Sequence, residues 1–172
     1  MATPADGSAF AKVHQGDHAG AIDACRRALD TSRDHFNTSR ALSVLGLAHA
    51  RTGAPVDAIA ALERAERMIA ASGTRTLQGM FLAWLSEAHR LNGDLARARQ
   101  SAIDGISIAA AVNFPFGLAA ARRALGEAEL AGGEVEQAIE QLTAARDLYV
   151  SIDSAFEAER TRARMAAAVA SA

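Results

Sequence analysis

The stretch Gly93-Asp-Leu-Ala-Arg-Ala98 decides the fold, because three other windows share its plan of a glycine followed five residues later by an alanine. The glycines of successive windows recur at a nearly constant interval of about 40 positions. A fixed interval of this size is typical of repeat proteins, in which each unit buries its apolar face against its neighbours. The spacing therefore predicts a stack of similar units, with function in a surface rather than in a reaction centre. The other windows are Gly16-Asp-His-Ala-Gly-Ala21, Gly53-Ala-Pro-Val-Asp-Ala58 and Gly133-Glu-Val-Glu-Gln-Ala138.

The composition favours helices. Half of the 172 residues are hydrophobic, alanine is abundant, and only three prolines, one tryptophan and one tyrosine occur. Small side chains suit closely packed helices, whereas sheets favour β-branched and aromatic residues. Acids and bases are mixed along the chain and the net charge is −2, so the sequence presents no basic face for a phosphate backbone. We expect an all-α protein that does not bind nucleic acid directly.

The single cysteine and the N-terminal sequence indicate the cellular compartment of the protein. Cys25 has no partner for an internal disulfide, and its place among small residues predicts a packed thiol. The N-terminus lacks the basic and apolar regions of a signal peptide, and no apolar run is long enough to span a membrane. The sequence predicts a cytoplasmic protein without a membrane partner.

Turn residues divide the chain into helix pairs. A first helix is expected to begin at Pro4, since Thr3 and Asp6 can cap it, and Pro55 and Pro115 are expected to begin later helices. The pattern predicts one domain over residues 1–172, made of four antiparallel helix pairs at about 4–35, 38–73, 76–113 and 115–152. A closing helix is predicted at 154–170.

The closing helix has a predicted orientation. A capping box at Ser154-Ala-Phe-Glu157 is expected to begin it. Its apolar stripe is expected to pack on the preceding helix, and its charged side chains are expected to face water. The stripe comprises Phe156, Ala163 and Ala167, and the charged set comprises Glu157, Arg162 and Arg164.

The second repeat resembles the tetratricopeptide repeat most closely. It reads Leu42-x-x-Leu45-Gly46-x-x-His49-x-x-x-Gly53, followed by Ala58, Leu62 and Ala65. The third and fourth repeats carry similar residues, although each spans about 40 positions, which is longer than the usual repeat of about 34. Such lengthened repeats are similar to the C-terminal helical arrays of large bacterial signalling and transcription regulators. The resemblance implies an α-solenoid, coiled as a right-handed superhelix, whose first helices line a concave groove.

Eleven groove positions follow from that resemblance. Trp84, flanked by charged and apolar residues, has the character of a binding hot spot, although it could instead fill space between helices. Arg123 and Glu127 lie one helical turn apart, so they could pair with each other or contact a ligand. The positions are Arg40, Ser43, Val44, Leu47, Met80, Ala83, Trp84, Glu87, Arg123, Ala124 and Glu127.

The candidate chemical groups favour structural roles. His14 and His18 straddle a turn and do not share a helical face, so we expect no metal site. His49 and His89 occupy equivalent repeat positions, which indicates packing rather than catalysis. The sequence contains no phosphate loop, zinc signature or nucleophile elbow, and we expect no cofactor and no enzymatic activity.

The function predicted from the sequence is a non-catalytic scaffold. Its groove is expected to bind a peptide or helix of a partner protein, or the chain is expected to pair with a second copy of itself. The alternative is a regulatory module that senses a small ligand or signalling peptide.

Overall fold

The computed structural model describes the backbone of residues 5–170 and the side chains of residues 9–170. Over these residues the chain forms nine α-helices and no strand, so the prediction of an all-α fold of the solenoid class is confirmed. The predicted helix start at Pro4 and its cap at Thr3 lie outside the described residues. The helices are α1 Ala5–His14, α2 His18–Thr31, α3 His35–Arg51, α4 Pro55–Ala71, α5 Gln78–Leu91, α6 Leu95–Ala111, α7 Pro115–Ala131, α8 Val135–Ser151 and α9 Ala155–Ala170.

The helices belong to two compact units. The first, Met1–Thr74, holds α1 to α4, and the second, Arg75–Ala172, holds α5 to α9. In each unit, consecutive helices pair in the order that the repeats predict, with α1 on α2, α3 on α4, α5 on α6 and α7 on α8. The prediction of one domain over the whole chain stays a prediction.

The repeated windows form the turns within the hairpins. Gly53 and Gly93 have positive φ angles of 76° and 82°, which glycine adopts without the strain that a Cβ atom brings. Ala58 and Ala98, five residues later, are completely buried. Asp94 caps α6 by accepting a hydrogen bond of 3.0 Å from the amide of Arg97. The windows recur because each combines a left-handed turn with a contact too close for a larger side chain.

Small residues also set how closely the paired helices approach. A Cβ atom added at Gly46 of α3 would lie 2.5 Å from Cγ of Leu62 and 3.0 Å from the carbonyl oxygen of Ala58. The same relation holds two repeats later, where an added Cβ at Gly126 of α7 would lie 2.8 Å from Cγ of Leu142. Glycine on one helix and leucine on the other therefore interlock at these crossings.

The closing helix α9 has a different orientation from the predicted one. Phe156 is 66% exposed, and Ala163 and Ala167 are also exposed. Glu157, predicted to face water, is only 6% exposed, and Ala158 packs with the cores of α7 and α8. The predicted stripe was wrong because alanines occur on several faces of α9, and because buried Glu157 has arginine partners that local periodicity does not show.

The outer face of α9 also differs from the repeat pattern, because it has a charged residue where the preceding repeats have small ones. Ser39, Gly79 and Ala119 are buried, and they occupy equivalent positions in successive repeats. An added Cβ at Gly79 would lie 2.8 Å from the carbonyl oxygen of Gly105, so this position permits close contact with the second helix of the pair. The next equivalent residue is Glu159, whose carboxylate is exposed and pairs with Arg162. A helix cannot pack on α9 there as α8 packs on α7 without burying a charge.

No helix within residues 5–170 is long and apolar enough to cross a membrane.

Candidate functional site

In the first unit, the predicted groove positions lie along α3. Ser43, Val44 and Leu47 are at most 7% exposed, and the Ser43 hydroxyl donates a hydrogen bond of 2.8 Å to the carbonyl oxygen of Arg40. The side chain of Arg40 is half-buried, and its guanidinium lies 5.8 Å from the centre of the Phe36 ring. Ser43, Val44 and Leu47 therefore belong to the interior of this unit, and Arg40 remains accessible.

The four predicted groove positions of α5 also comprise buried and half-buried side chains. Ala83 and Trp84 are buried, with exposed fractions of 3% and 8%, whereas Met80 and Glu87 are half-buried. The indole of Trp84 stacks on the ring of Phe81 with 6.1 Å between centroids and 23° between planes. This burial supports the interpretation that Trp84 fills space within the second unit.

Two predicted groove positions of α7, Arg123 and Glu127, form ion pairs with residues of α9. Arg123 lies 3.8 Å from the carboxylate of Glu157, and Nε of Arg164 donates to both carboxylate oxygens of Glu127 at 3.0 and 2.9 Å. Among the described residues, the pairing of Arg123 with Glu127 considered from the sequence is not seen. Arg123 and Glu127 instead each form an ion pair with a residue of opposite charge on α9.

Arg123 is at the centre of a buried polar cluster. Burial alone would lower the pKa of Arg123, but the Tyr149 hydroxyl and the carboxylates of Glu157 and Glu87 outweigh it and raise that pKa. Burial raises the pKa of Tyr149, with Arg123 opposing this shift and Glu157 adding to it. The Arg123 guanidinium and the Tyr149 hydroxyl lie close enough for each to shift the pKa of the other. The cluster thus keeps Arg123 charged and Tyr149 neutral at neutral pH.

A cleft of about 370 Å³ lies between α7 and α9, and we call it the α7–α9 cleft. Its polar wall contains three guanidinium groups and one carboxylate, and its apolar wall contains two alanines. Arg160 and Arg164 are 35% and 40% exposed, so they lie at the opening, whereas Arg123 is deeper at 18%. The lining residues are Arg123, Glu127, Arg160, Ala163, Arg164 and Ala167.

Four of these residues were not predicted as groove positions. Arg160, Ala163, Arg164 and Ala167 lie one repeat interval after Ala120, Arg123, Ala124 and Glu127. The interval that aligns the earlier repeats would have identified them had it been extended into the closing helix. They were missed because α9 was interpreted as a cover rather than as a further first helix.

The histidines lie apart from the α7–α9 cleft lining. His89 is 4% exposed, His49 is half-buried, and His14 packs against the ring of Phe10 with 4.4 Å between centroids. The part of the chain that the structure describes contains no group of three or more histidine, cysteine, aspartate or glutamate side chains placed to hold a metal ion.

Comparison with known proteins finds a family model that matches the first part of the chain. The sequence profile of the tetratricopeptide repeat matches residues 1–71. No curated protein sequence matches this chain.

Solved structures share the fold at low sequence identity. A Rap protein complexed with Competence and Sporulation Factor aligns with a TM-score of 0.75 and 12% identity, over 95% of this chain and 52% of its own. The apo form of RapI aligns with a TM-score of 0.69 and 13% identity, over 97% and 47%. A putative kinesin light chain from Podospora anserina with nearly identical TPR-like repeats gives 0.64 and 17%, over 99% and 98%. This chain therefore spans about half the length of the Rap structures.

Proposed function

We propose that this chain is a tetratricopeptide-repeat protein and a non-catalytic scaffold that binds a peptide or helix of a partner protein in its groove. The observation that supports the proposal is the α7–α9 cleft, a partly open cavity in the second unit. Its lining includes two predicted groove positions, Arg123 and Glu127, together with residues of α9 at equivalent places one repeat interval later.

The size and lining of the α7–α9 cleft suit part of a polypeptide segment. About 370 Å³ lies at the lower end of the range for ligand pockets, and it accommodates a few side chains. Ala163 and Ala167 offer an apolar wall, while Arg160 and Arg164 offer charged donors beside it. A segment that combines apolar and charged side chains is complementary to this lining.

The lining also argues against catalysis in the α7–α9 cleft. Its ionisable groups are Arg123, Arg160, Arg164 and Glu127, and Glu127 is already bonded to Arg164. An arginine with a raised pKa does not exchange protons near neutral pH, so Arg123 cannot act as a general acid or base. These groups can bind and orient a partner.

Paired substitutions on α9 test the proposal. Ala163 lines the α7–α9 cleft, whereas Ala166 is exposed on the same helix but does not line it. A partner is first identified by affinity capture and mass spectrometry, then purified, and its Kd is measured by calorimetry. Ala163→Glu fills the α7–α9 cleft and is expected to raise the Kd at least about tenfold, which is about 1.4 kcal/mol.

Ala166→Glu is the matched control and is expected to leave the Kd within about twofold. Equal affinity of both variants for the partner would refute binding in this part of the groove. Circular dichroism of both variants establishes that helical content is retained.

A sensing module is the second candidate, since one structural relative was solved in complex with Competence and Sporulation Factor. In this role the groove would bind a small signalling ligand. A thermal-shift screen of peptides and metabolites tests it, because a ligand at about 100 times its Kd adds about 2.7 kcal/mol to the free energy of unfolding. The absence of any stabilising ligand would favour the scaffold.

The proposed scaffold acts on proteins in the cytoplasm, without a nucleic-acid partner, or pairs with a second copy of itself. The net charge of −2 and the single, buried cysteine, Cys25, support this setting. Light scattering would detect pairing, and filter binding at low salt would detect nucleic acid.

A further inference from the structure

Another cleft, of about 420 Å³, lies within the first unit, and we call it the α2–α4 cleft. Its lining comes from α2, α3 and α4 and includes none of the predicted groove positions of α3. This volume lies in the range for small-molecule pockets, whereas a helix about 10–12 Å wide would lie over the opening. The apolar part of the lining consists of Leu42, Leu45, Ala60 and Ala61.

Short apolar side chains leave the α2–α4 cleft accessible where the second unit has a polar bridge. Arg122 of α7 and Gln141 of α8 lie two repeat intervals after Leu42 and Ala61. The Arg122 guanidinium donates a hydrogen bond of 2.9 Å to the side-chain oxygen of Gln141 and thereby connects the two helices. Leucine and alanine cannot form this bond, so the corresponding space of the first unit remains open to a ligand.

The polar groups of the α2–α4 cleft have opposite charge at its two ends. Asp57 and Arg64 lie two turns apart on one face of α4, so their Cα atoms are about 10 Å apart along the helix axis. His49 of α3 and Asp57 are equally far along the chain from Gly53, so the pairing of α3 with α4 brings them to the same end. By the same relation, Arg64 lies beside Leu42 at the other end. Apolar side chains separate the acidic end from the basic one.

The end groups of the α2–α4 cleft are available to a ligand. Within residues 9–170, the side chains of Asp57, Arg64 and His49 form no hydrogen bond or ion pair. Arg26 of α2 also lines the cleft, but its guanidinium lies 4.0 Å from the carboxylate of Asp23, so these two charges cancel in the count. The positive charge of Arg64 and the negative charge of Asp57 remain, and the cleft is therefore dipolar rather than basic.

We propose that the α2–α4 cleft binds a small zwitterionic molecule whose ammonium and anionic ends are separated by an apolar chain. The ammonium contacts the carboxylate of Asp57 and donates a hydrogen bond to the neutral imidazole of His49. The anionic end contacts the guanidinium of Arg64, and the apolar chain covers Leu45 and Ala60. This site lies outside the α7–α9 cleft, so its occupation does not depend on the proposed scaffold function.

Four small molecules probe the site. The first is 8-aminooctanoate, whose extended chain spans about the distance between the two ends. Octanoate and octylamine have the same chain length but only one charge each, and 4-aminobutanoate has both charges too close together. Binding to the full chain is measured by chemical-shift changes, including those of the His49 imidazole, at low salt, where charge-assisted contacts are least screened.

We expect 8-aminooctanoate to bind with a Kd at least about tenfold below that of each of the other three probes. Only this molecule reaches both end groups while its chain covers the apolar lining. Equal affinity of octanoate or octylamine would show that one of the two charges is not recognised and would overturn the inference. Equal affinity of 4-aminobutanoate would contradict the separation of the ends and would also overturn it.

Variants of α4 locate the binding. Arg64→Glu reverses the basic end, and Ala60→Phe fills the apolar part, so each is expected to raise the Kd of 8-aminooctanoate at least about tenfold. The matched controls are Arg67→Glu and Ala70→Phe, which change exposed side chains of the same helix outside the lining. Both controls are expected to leave the Kd within about twofold, and circular dichroism checks the helical content of all four.

Zwitterion binding that neither Arg64→Glu nor Ala60→Phe weakens would place the ligand elsewhere and overturn the assignment. A protein partner that is lost with Ala60→Phe, in a chain that does not bind 8-aminooctanoate, would identify the cleft as a protein contact and refute the inference. Ala163→Glu, in the α7–α9 cleft, is expected to leave the Kd of 8-aminooctanoate within about twofold. Failure of the scaffold function and failure of this site are therefore measured separately.

Discussion

Helix α7 contacts α8 and α9 by different physical means. Towards α8, Gly126 interlocks with Leu142, and the fully buried Ala119 packs beside Tyr149. Towards α9, Ala158 joins the buried cluster of Ala119 and Tyr149, and the polar contacts are ion pairs of Arg123 and Glu127. Apolar interlocking depends on shape and tolerates little change, whereas charge pairs at a partly exposed boundary contribute less and respond to salt. The hairpin is therefore the stable unit, and its contact with α9 is the adjustable one.

The largest expected effect tests the apolar side of α7. Leu142→Ala should lower the free energy of unfolding by about 3 kcal/mol, because it removes a fully buried side chain and leaves a cavity. In a Gly126→Ala background the same substitution should cost about 1 kcal/mol less, since the added methyl group occupies part of that space. Urea denaturation of the four proteins measures this coupling.

Leu91 is exposed, so Leu91→Ala is the control for removing a leucine side chain without leaving a cavity. It should change the free energy of unfolding by less than about 0.5 kcal/mol. Strict additivity of the Gly126 and Leu142 substitutions would contradict the interlock.

The buried acid of the α9 boundary should have the next largest effect. Glu157→Ala should lower the free energy of unfolding by about 2 kcal/mol, because it removes a carboxylate facing the buried charge of Arg123. Glu159→Ala is the matched control on the same helix, and its exposed pair with Arg162 should contribute less than about 0.5 kcal/mol. Equal losses in urea denaturation would mean that burial does not distinguish these acids.

Tyr149 should have a smaller effect that depends on pH. Tyr149→Phe removes a buried hydroxyl that interacts with Arg123 and should lower the free energy of unfolding by about 1 kcal/mol at neutral pH. Folding raises the pKa of Tyr149 above its ordinary value of 10.0, so the unfolded chain loses this proton first. The tyrosine's contribution is therefore fully present below pH 10.0 and declines as pH rises towards the folded pKa.

Ultraviolet absorbance of tyrosinate measures this shift directly, because Tyr149 is the chain's only tyrosine. Its titration in the folded protein should have a midpoint above that in urea. Coincident midpoints would contradict the buried polar cluster.

The smallest expected effect is that of the outer ion pair. Arg164→Ala should lower the free energy of unfolding by about 0.5 kcal/mol at low salt, and by less at about 1 M salt, because the pair is partly exposed and therefore screened. Arg67→Ala, which removes a more exposed pair with Glu63, is the control and should have an effect near zero. A loss at Arg164 that is independent of salt would indicate packing rather than charge as its contribution.

The apolar features of the molecule could be predicted because they are local and repeated. Pro55 and Pro115 begin helices as expected, since proline tolerates the first helical position. Gly46 and Gly126 lie at crossings that recur with the period of the chain, so their spacing indicated their role. Periodicity is thus enough to predict the helix pairs.

The charged boundary could not be predicted in the same way. The burial of Glu157 depends on Arg123, which lies much earlier in the chain and on another helix, and no local pattern connects the two. Phe156 was misassigned because α9 has small residues all round, which leaves its apolar direction ambiguous. Pairing across helices is a tertiary property, and the candidate site is made largely of such pairs.

The carboxylate of Glu159 has a consequence for assembly. Solenoid proteins risk adding hairpins end to end between molecules, because a head-to-tail contact that does not close on itself generates filaments. Where Ser39, Gly79 and Ala119 permit close contact, Glu159 would bring an ionised group into such a junction. Two neighbouring charges on a single turn of α9 would thus disfavour the packing of a second copy on this surface, and Glu159→Ala would be the substitution that removes this cost.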